Sequence, residues 1–304
     1  MVNFVVKRLL QSVVVLVLVS VVAFALVLLS GDPVTMMMPV HANDADRQVL
    51  RHELGLDQPV LVQYALFVVG ALHGDLGQSI KFNQAVLPLI GSKLPLTLVL
   101  ASAAILLAVI IGVPLGLATG VRPGSGLDTV ATVLALLTVS LPSFWIGLML
   151  ILFLADRLRI LPVGGSGGLQ YLVMPALTLS AHSIGLITRL TRAGVAEQMQ
   201  QLYVTTARSK GLTERMIQLR HVLRNASGPT LTVIALQFGA LLGGSVIVET
   251  IFAWPGAGWL LMEAVSARDL PLVRALVLVI GSIFILLNLL VDLGYRYLDP
   301  RVRY

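Results

Sequence analysis

The segment Tyr203-Val-Thr-Thr-Ala-Arg-Ser-Lys-Gly211 lies at the centre of a basic stretch, residues 187–230, that interrupts an otherwise apolar chain. Apolar and charged residues are interspersed on both sides of Gly211. This pattern predicts a short amphipathic helix, with Gly211 as a bend or a point of close approach. Such a helix either lies on anionic lipid through its basic face or inserts into a groove on a cytosolic partner.

Outside this stretch the composition is that of a membrane protein. Apolar residues make up 57% of the 304-residue chain and charged residues only 12%, about half the charged share of soluble domains. Six apolar stretches are long enough, at roughly 20 residues each, to cross a bilayer as helices. They lie at Leu9–Ser30, Leu96–Ala118, Val130–Ala155, Leu169–Ile187, Thr230–Phe252 and Leu272–Tyr297. None alternates apolar with polar residues, which excludes a porin-like barrel and predicts an all-α, polytopic protein with six transmembrane helices.

Cysteine content and charge exclude other classes. The chain has no cysteine, so a disulfide framework, a thiolate nucleophile and a cysteine metal site are excluded. The net charge of +6 is explained by membrane orientation, and we expect no nucleic-acid partner. The first apolar run follows Lys7 and Arg8 and continues to Leu29, too long for a cleaved signal peptide, so it is predicted to remain as a transmembrane helix.

The distribution of Lys and Arg predicts the topology. With a cytoplasmic N-terminus, 13 of these residues fall on the cytoplasmic side and 8 on the other side, as the positive-inside rule requires. An even number of spans then places both termini in the cytoplasm. The predicted divisions are a first transmembrane helix at 1–30, an external loop with short surface helices at 31–95, and a core domain of five transmembrane helices at 96–304 that includes a cytoplasmic loop at 188–229. Within the external loop, the apolar run Val60–Leu72 predicts a helix too short to span.

The basic stretch carries a family resemblance. Ala207-x-x-x-Gly211 followed by His221-Val-Leu223 resembles the EAA loop of ABC-importer permeases, which reads Glu-Ala-Ala, three residues, Gly, nine residues, Ile-x-Leu-Pro. Here Thr205-Thr206 replace Glu-Ala, His221 replaces Ile and Arg224 replaces Pro. These departures are similar to the peptide/nickel subgroup, whose loops read like Thr-Ala-Arg-x-Lys-Gly followed by Leu-Arg-Asn-Ala.

Further motifs of that subgroup occur in order along almost the whole chain. They are Gly31-Asp-Pro33, Leu54–Pro59, Gly74–Ser79, Ser140–Phe144, Gly243–Glu249, Phe252–Gly258, Arg268–Pro271 and Asn288–Asp292. Each is weak alone, but their order and spacing are specific. The chain therefore resembles the B-type permease of dipeptide, oligopeptide, glutathione or nickel importers.

This resemblance implies a type I ABC-importer permease fold in a bacterial cytoplasmic (inner) membrane. It further implies a second homologous permease subunit, two cytosolic ATPase subunits that each receive one coupling helix, and an external substrate-binding protein. Short peptides are the implied cargo, with nickel or a nickel chelate as the alternative. We expect membrane lipid around the chain and no metal or cofactor bound by it, with ATP and Mg on the partner ATPases. The chain itself has no Gly-x-x-x-x-Gly-Lys-Ser/Thr phosphate loop, so it is not expected to be an enzyme.

The resemblance also assigns candidate site residues. The ATPase-coupling candidates are Thr206, Ala207, Lys210, Gly211, Glu214, His221, Arg224 and Asn225. The pathway or gate candidates are Glu249, Trp254, Asn288 and Asp292. Asn288 and Asp292 share a helix face, where they line the pathway, make a hydrogen bond within the bundle, or place the acid near enough to the cytoplasmic end to be hydrated. Glu249 and Trp254 lie either near an external gate or in a re-entrant turn.

One rival function comes from a glycine-flanked serine. Ser166, in Gly165-Ser-Gly-Gly168, and His182 together allow an intramembrane serine hydrolase as a distant alternative. Ser166 is expected in an external turn rather than inside a helix. His182 has no second ligand at metal-binding spacing, so a metal site is not predicted.

Overall fold

The computed structural model describes residues 2–29, 34, 43–53 and 56–298, and these residues are mostly helical. The helices are α1 (Val2–Leu29), α2 (Asp44–Glu53), α3 (Val60–Leu72), α4 (Val86–Val121), α5 (Gly126–Ser140), α6 (Ser143–Arg157), α7 (Leu169–Gln198), α8 (Leu202–Ser209), α9 (Glu214–Ile251), α10 (Ala257–Ser266) and α11 (Leu270–Leu298). A short antiparallel hairpin, β1 (Gln78–Ser79) and β2 (Gln84–Ala85), precedes α4. The motif Gly31-Asp-Pro33 lies outside the described residues.

The apolar helices confirm the predicted membrane spans. Within the described part of the chain, five helices have the length and apolarity needed to cross a bilayer, namely α1, α4, α7, α9 and α11. The pair α5 and α6 forms a sixth candidate span, bent by 107°. The single third span expected at Val130–Ala155 is therefore two helices.

Proline explains this break in the third span. Leu141 has extended backbone angles (φ −80°, ψ 134°), and so does Pro142 (φ −62°, ψ 138°). Proline lacks an N–H and disfavours helical angles in the residue before it. The helix consequently ends at Ser140 and restarts at Ser143.

Two helices extend further from the apolar runs than the sequence predicted. Helix α7 continues from Ile187 to Gln198, and α9 begins at Glu214 rather than near Thr230. Much of the basic stretch therefore belongs to the ends of α7 and α9. In α7 the extension is amphipathic, since Thr188, Thr191 and Val195 are buried.

The chain forms two compact units, residues 1–95 with 256–290 and residues 96–255 with 291–304. The core of the first unit joins the start of α4 to α10 and α11. Its buried residues are Leu76, Val86, Leu89, Ile90, Ala257, Leu260, Ala264, Leu272, Ala275 and Leu276. Helix α3, which has the predicted bounds, packs on α1 through Phe24, whose ring lies 5.5 Å from Tyr64 and 6.0 Å from Phe67.

A buried carboxylate joins two sequence motifs of the first unit. Asp269, in the motif Arg268–Pro271, accepts hydrogen bonds from the Ser79 hydroxyl, from the Lys81 N–H at 3.0 Å and from the Leu272 N–H at 3.2 Å. We call residues 74–85 together with Asp269 the hairpin clasp. Because Asp269 is fully buried, these donors stabilise its charge and fix the hairpin on the start of α11.

Helix α7 lies at the centre of the second unit. It packs against α4 at three glycines spaced four residues apart, Gly112, Gly116 and Gly120. A Cβ built on Gly116 would lie 2.6 Å from the Cβ of Thr191, closer than any side chain permits. Small residues at this spacing let membrane helices approach closely, so this contact holds α7 in register with α4.

Candidate docking segment

The basic stretch forms a short helix and a tight turn between two spans. We call residues 199–226 the docking segment. Its helix, α8, ends where the Lys210 N–H donates to the Thr206 carbonyl at 3.1 Å. Gly211 follows in the left-handed region (φ 77°) and donates its N–H to the Arg208 carbonyl at 2.9 Å. Glycine after a helix C-terminus is the usual residue for this conformation, and the predicted bend at Gly211 is confirmed.

One face of the docking segment is buried against the neighbouring helices of the second unit, α7 and α9. Val204 and Ala207 of α8 pack with Val195 of α7 and with the start of α9. The buried residues of α9 in this cluster are Ile217, Val222 and Ala226. Ala207, a predicted coupling residue, thus faces the interior of its own subunit, where it helps to hold α8 against α7 and α9.

The other coupling candidates lie at or near the surface. Thr206, Lys210, Gly211, Glu214, Arg224 and Asn225 are exposed, and His221 is half-buried. Arg208 and Glu214 form a paired contact across the turn, with Nε–Oε1 at 2.7 Å and Nη2–Oε2 at 3.2 Å. The Glu214 carboxylate raises the pKa of Arg208 through this hydrogen bond, so the pair carries fixed charges.

An ion pair between the half-buried Arg192 and the buried Asp128 joins α7 to the start of α5. The Arg192 Nη2 lies 2.7 Å from Asp128 Oδ2, and its Nε donates to the other oxygen of the same carboxylate. The Gly124 N–H also donates to Asp128, at 2.8 Å. Ser125 caps α5 by accepting from the Asp128 N–H at 3.2 Å. These bonds tie this end of α7 to the start of α5.

Sequence reasoning missed this ion pair. The pattern Ser125-x-x-Asp128 was a signal for a helix start, since a serine followed three residues later by an acid marks a capping box. The partner Arg192 was visible only as one of many basic residues.

The gate candidates Glu249 and Trp254 lie in one packed turn after α9. The Trp254 N–H donates to the Glu249 carbonyl at 2.8 Å, and its indole N–H donates to the Leu96 carbonyl at 3.0 Å. Both side chains are buried. Between them Ala253 has a left-handed backbone (φ 46°), and the Phe252 carbonyl accepts from the Gly165 N–H at 2.8 Å.

The remaining gate candidates lie on α11. Asn288 is half-buried and belongs to the first unit. The helix continues through Asp292, whose side chain lies outside the described part of the chain.

The structure argues against the hydrolase alternative. Ser166 lies between α6 and α7, three residues before Leu169. Three residues of fully extended chain span about 10 Å at most. His182 lies about 20 Å along α7 from Leu169, at 1.5 Å per residue. The Cα atoms of Ser166 and His182 are therefore at least about 9 Å apart, and among the described residues no hydrogen bond joins the two side chains.

These features define an integral membrane protein with a helical segment presented between two of its spans, and comparison with known proteins gives its family. The chain belongs to the family of binding-protein-dependent transport system inner membrane components, whose sequence model matches residues 112–304. The N-terminal model of the same membrane components matches residues 1–101.

Curated relatives align along the full chain. A protein of Brucella abortus (strain 2308) named as a peptide transport system permease protein is 39% identical over 313 residues, which cover 100% of both chains. The glutathione transport system permease protein GsiC of Salmonella choleraesuis (strain SC-B67) is 39% identical over 308 residues, again 100% of both.

A solved structure supports the same fold. An inward-facing form of the MetNI methionine ABC transporter superposes with a TM-score of 0.55 and 19% identity, covering 69% of this chain and 96% of the matched chain. This chain is a membrane-spanning permease subunit of an ABC importer and a multi-pass inner-membrane protein. Permeases of this family work with ATPase subunits and a substrate-binding protein. The predicted family, type I permease fold, role as an importer permease subunit and inner-membrane location are confirmed, whereas the cytoplasmic placement of both termini stays a prediction.

Proposed function

We propose that this permease carries short peptides, including glutathione-like peptides, from an external binding protein into the cell. The support is the 39% identity along the whole chain to permeases named for peptide and glutathione transport. It pairs with a second homologous permease, and the two enclose the path. ATP and Mg are held and ATP is hydrolysed by two cytosolic ATPase subunits, not by this chain.

The docking segment is the proposed contact with one ATPase. The observation that carries this assignment is the two-sided burial of α8. Val204 and Ala207 pack into the core of the second unit, whereas Thr206 and the next residue on that face, Lys210 just after the helix, are exposed. A helix held in this way inserts into a partner's groove as a rigid body. Force on α8 then passes to α7 and α9, which flank it in the chain.

The assignment requires the docking segment and both termini to lie in the cytoplasm. The excess of Lys and Arg on that side supports this orientation. The hairpin clasp then belongs to the external side, where the binding protein docks.

Co-purification and uptake test the proposed function. The tagged chain, isolated in mild detergent from its own host, is expected to bring down a second permease and two copies of ATPase. In liposomes with the binding protein outside and ATP inside, the complex is expected to import labelled glutathione or trialanine. Import of nickel salts with no peptide uptake would contradict the peptide assignment and favour the nickel alternative.

A further inference from the structure

The second unit contains a cavity of about 290 Å³ where the bend between α5 and α6 meets α7 and α9. Irregular backbone at membrane depth is tolerated where it lines a cavity, which is the situation at Leu141. Six of the twelve lining residues are polar, namely Thr138, Ser143, Thr178, His182, Ser183 and Gln237. His182 and Gln237 lie well inside two apolar helices, away from their ends.

The chemistry of this lining is polar but neutral. Half of the lining residues carry hydroxyl, amide or imidazole groups, and none of the described lining residues is Asp, Glu, Lys or Arg. A charged ligand group would therefore have no counter-charge here, which is costly inside a membrane protein. A ligand with neutral hydrogen-bonding groups matches the lining.

One hydroxyl in the cavity wall has no partner among the described residues. Thr178 is 1% exposed, and its Oγ1 makes no hydrogen bond. Hydroxyls in apolar helices usually bond to a carbonyl of the preceding turn, as Ser180 does to the Leu177 carbonyl at 3.0 Å. A buried unsatisfied hydroxyl is destabilising, and one in a cavity wall gains stability if a bound group supplies the missing hydrogen bond.

A second polar group is held in position beside it. The Gln237 Nε2 donates to the Ser183 Oγ at 3.1 Å, and Ser183 is fully buried. This bond links α9 to α7 and fixes the amide of Gln237 in the cavity wall. The hydroxyl and the amide together offer both donors and acceptors.

We propose that this cavity binds a backbone peptide group of the substrate during transport, with Thr178 and Gln237 as the contacting residues. This inference rests on the proposed function. A peptide group is neutral and carries one donor and one acceptor, which matches the lining. Recognition through the backbone fits a cargo whose side chains vary.

Thr178→Val tests this site, with Thr188→Val as the matched control. Thr188 lies on the same helix, is 2% exposed and also has an Oγ1 without a hydrogen-bond partner among the described residues, but it does not line the cavity. Because both substitutions remove an unsatisfied hydroxyl, both variants are expected to fold and to melt no lower than the wild type. Only Thr178→Val is expected to lower uptake of subsaturating trialanine, by about threefold to tenfold, the cost of one hydrogen bond. Gln237→Leu is expected to lower it by at least as much.

The outcomes separate this inference from the proposed function. If the wild-type complex imports trialanine and Thr178→Val matches Thr188→Val, the cavity does not bind the peptide and only this inference fails. If the wild-type complex imports neither trialanine nor glutathione, the proposed function is wrong. The assignment of a peptide group to the cavity is then wrong as well. A further readout is trialanine methylated on its backbone nitrogens, for which the difference between Thr178→Val and the wild type is expected to shrink.

Discussion

The docking segment and the hairpin clasp both connect spans, yet they are built in opposite ways. The docking segment exposes its charges, and its Arg208–Glu214 pair lies at the surface. The hairpin clasp buries its key charge, since Asp269 is fully buried and accepts three hydrogen bonds. Exposed pairs contribute little to stability, whereas a buried carboxylate depends on every donor around it.

This difference separates a connection that holds a fixed shape from the one that we propose to meet a partner. Substitutions in the hairpin clasp are expected to reduce the amount of folded protein. Substitutions on the exposed face of the docking segment are expected to leave folding intact and to reduce coupling. The following experiments test that contrast.

Asp269→Ala is expected to have the largest effect. It leaves the buried Ser79 hydroxyl and the buried Leu272 N–H without an acceptor, at a cost of about 1–3 kcal/mol for each unsatisfied group. A thermal melt of the detergent-solubilised complex is the measurement, and yield should fall with melting temperature. Glu263→Gln is the control, because this residue pairs with Lys81 at the surface and little change is expected. Equal melting of both variants would contradict the contrast.

Asp128→Ala is expected to affect both stability and coupling. It removes the acceptor for Arg192 and for the Gly124 N–H, and it disconnects α7 from the start of α5. The variant should melt lower and import less peptide per ATP hydrolysed. Arg192→Lys keeps the charge but loses the two-point contact, so it should fall between this variant and the wild type. A normal transport-to-ATP ratio in Asp128→Ala would show that this pair transmits nothing.

Gly211→Arg is expected to leave membrane insertion intact but to uncouple ATP hydrolysis from transport. A Cβ at Gly211 meets nothing within 4 Å, so the side chain projects into open space on the docking face. The left-handed backbone costs roughly 1–2 kcal/mol for residues such as Ala and Arg. Gly211→Ala carries the same strain without the bulk and is the matched control. If Gly211→Arg couples as well as Gly211→Ala, the placement of Gly211 at the partner is wrong.

Glu214→Gln is expected to have the smallest effect on folding. Among the residues that the structure describes, its carboxylate bonds only to Arg208, and both side chains are about half exposed. The melting temperature of this variant should match the wild type at 0.15 M salt, because exposed pairs are screened. A large loss of folded protein would mean that the docking segment is as rigidly built as the hairpin clasp.

The sequence predicted those parts of the fold that depend on local composition. Span number, the helix at Val60–Leu72 and the bend at Gly211 follow from apolar length and glycine conformation. The break at Pro142 was missed because proline inside a membrane helix often produces only a kink. The extension of α7 past Ile187 was missed because its threonines and arginines resemble a loop, although Thr188 and Thr191 are buried.

The candidate sites depend on contacts between distant residues, which one sequence does not show. Ser79 and Asp269 are 190 residues apart, and Asp128 and Arg192 are 64 apart. The unpartnered hydroxyl of Thr178 is visible only once its neighbours are known. By contrast, the exposed docking face followed from the order of its residues, because a helix and its glycine turn are local structures.

Site-directed photocrosslinking tests the central claim most directly. The chain has no native cysteine, so Thr206→Cys places a single thiol on the exposed face of α8 for attachment of benzophenone-maleimide. Ser166→Cys, exposed between α6 and α7, is the control. In the assembled complex during ATP turnover, the label at Thr206→Cys is expected to crosslink to an ATPase subunit, whereas the label at Ser166→Cys is not. Crosslinking of the Thr206→Cys label to phospholipid alone would contradict the account. So would reaction of the unlabelled Thr206→Cys thiol with an impermeant maleimide added outside intact cells.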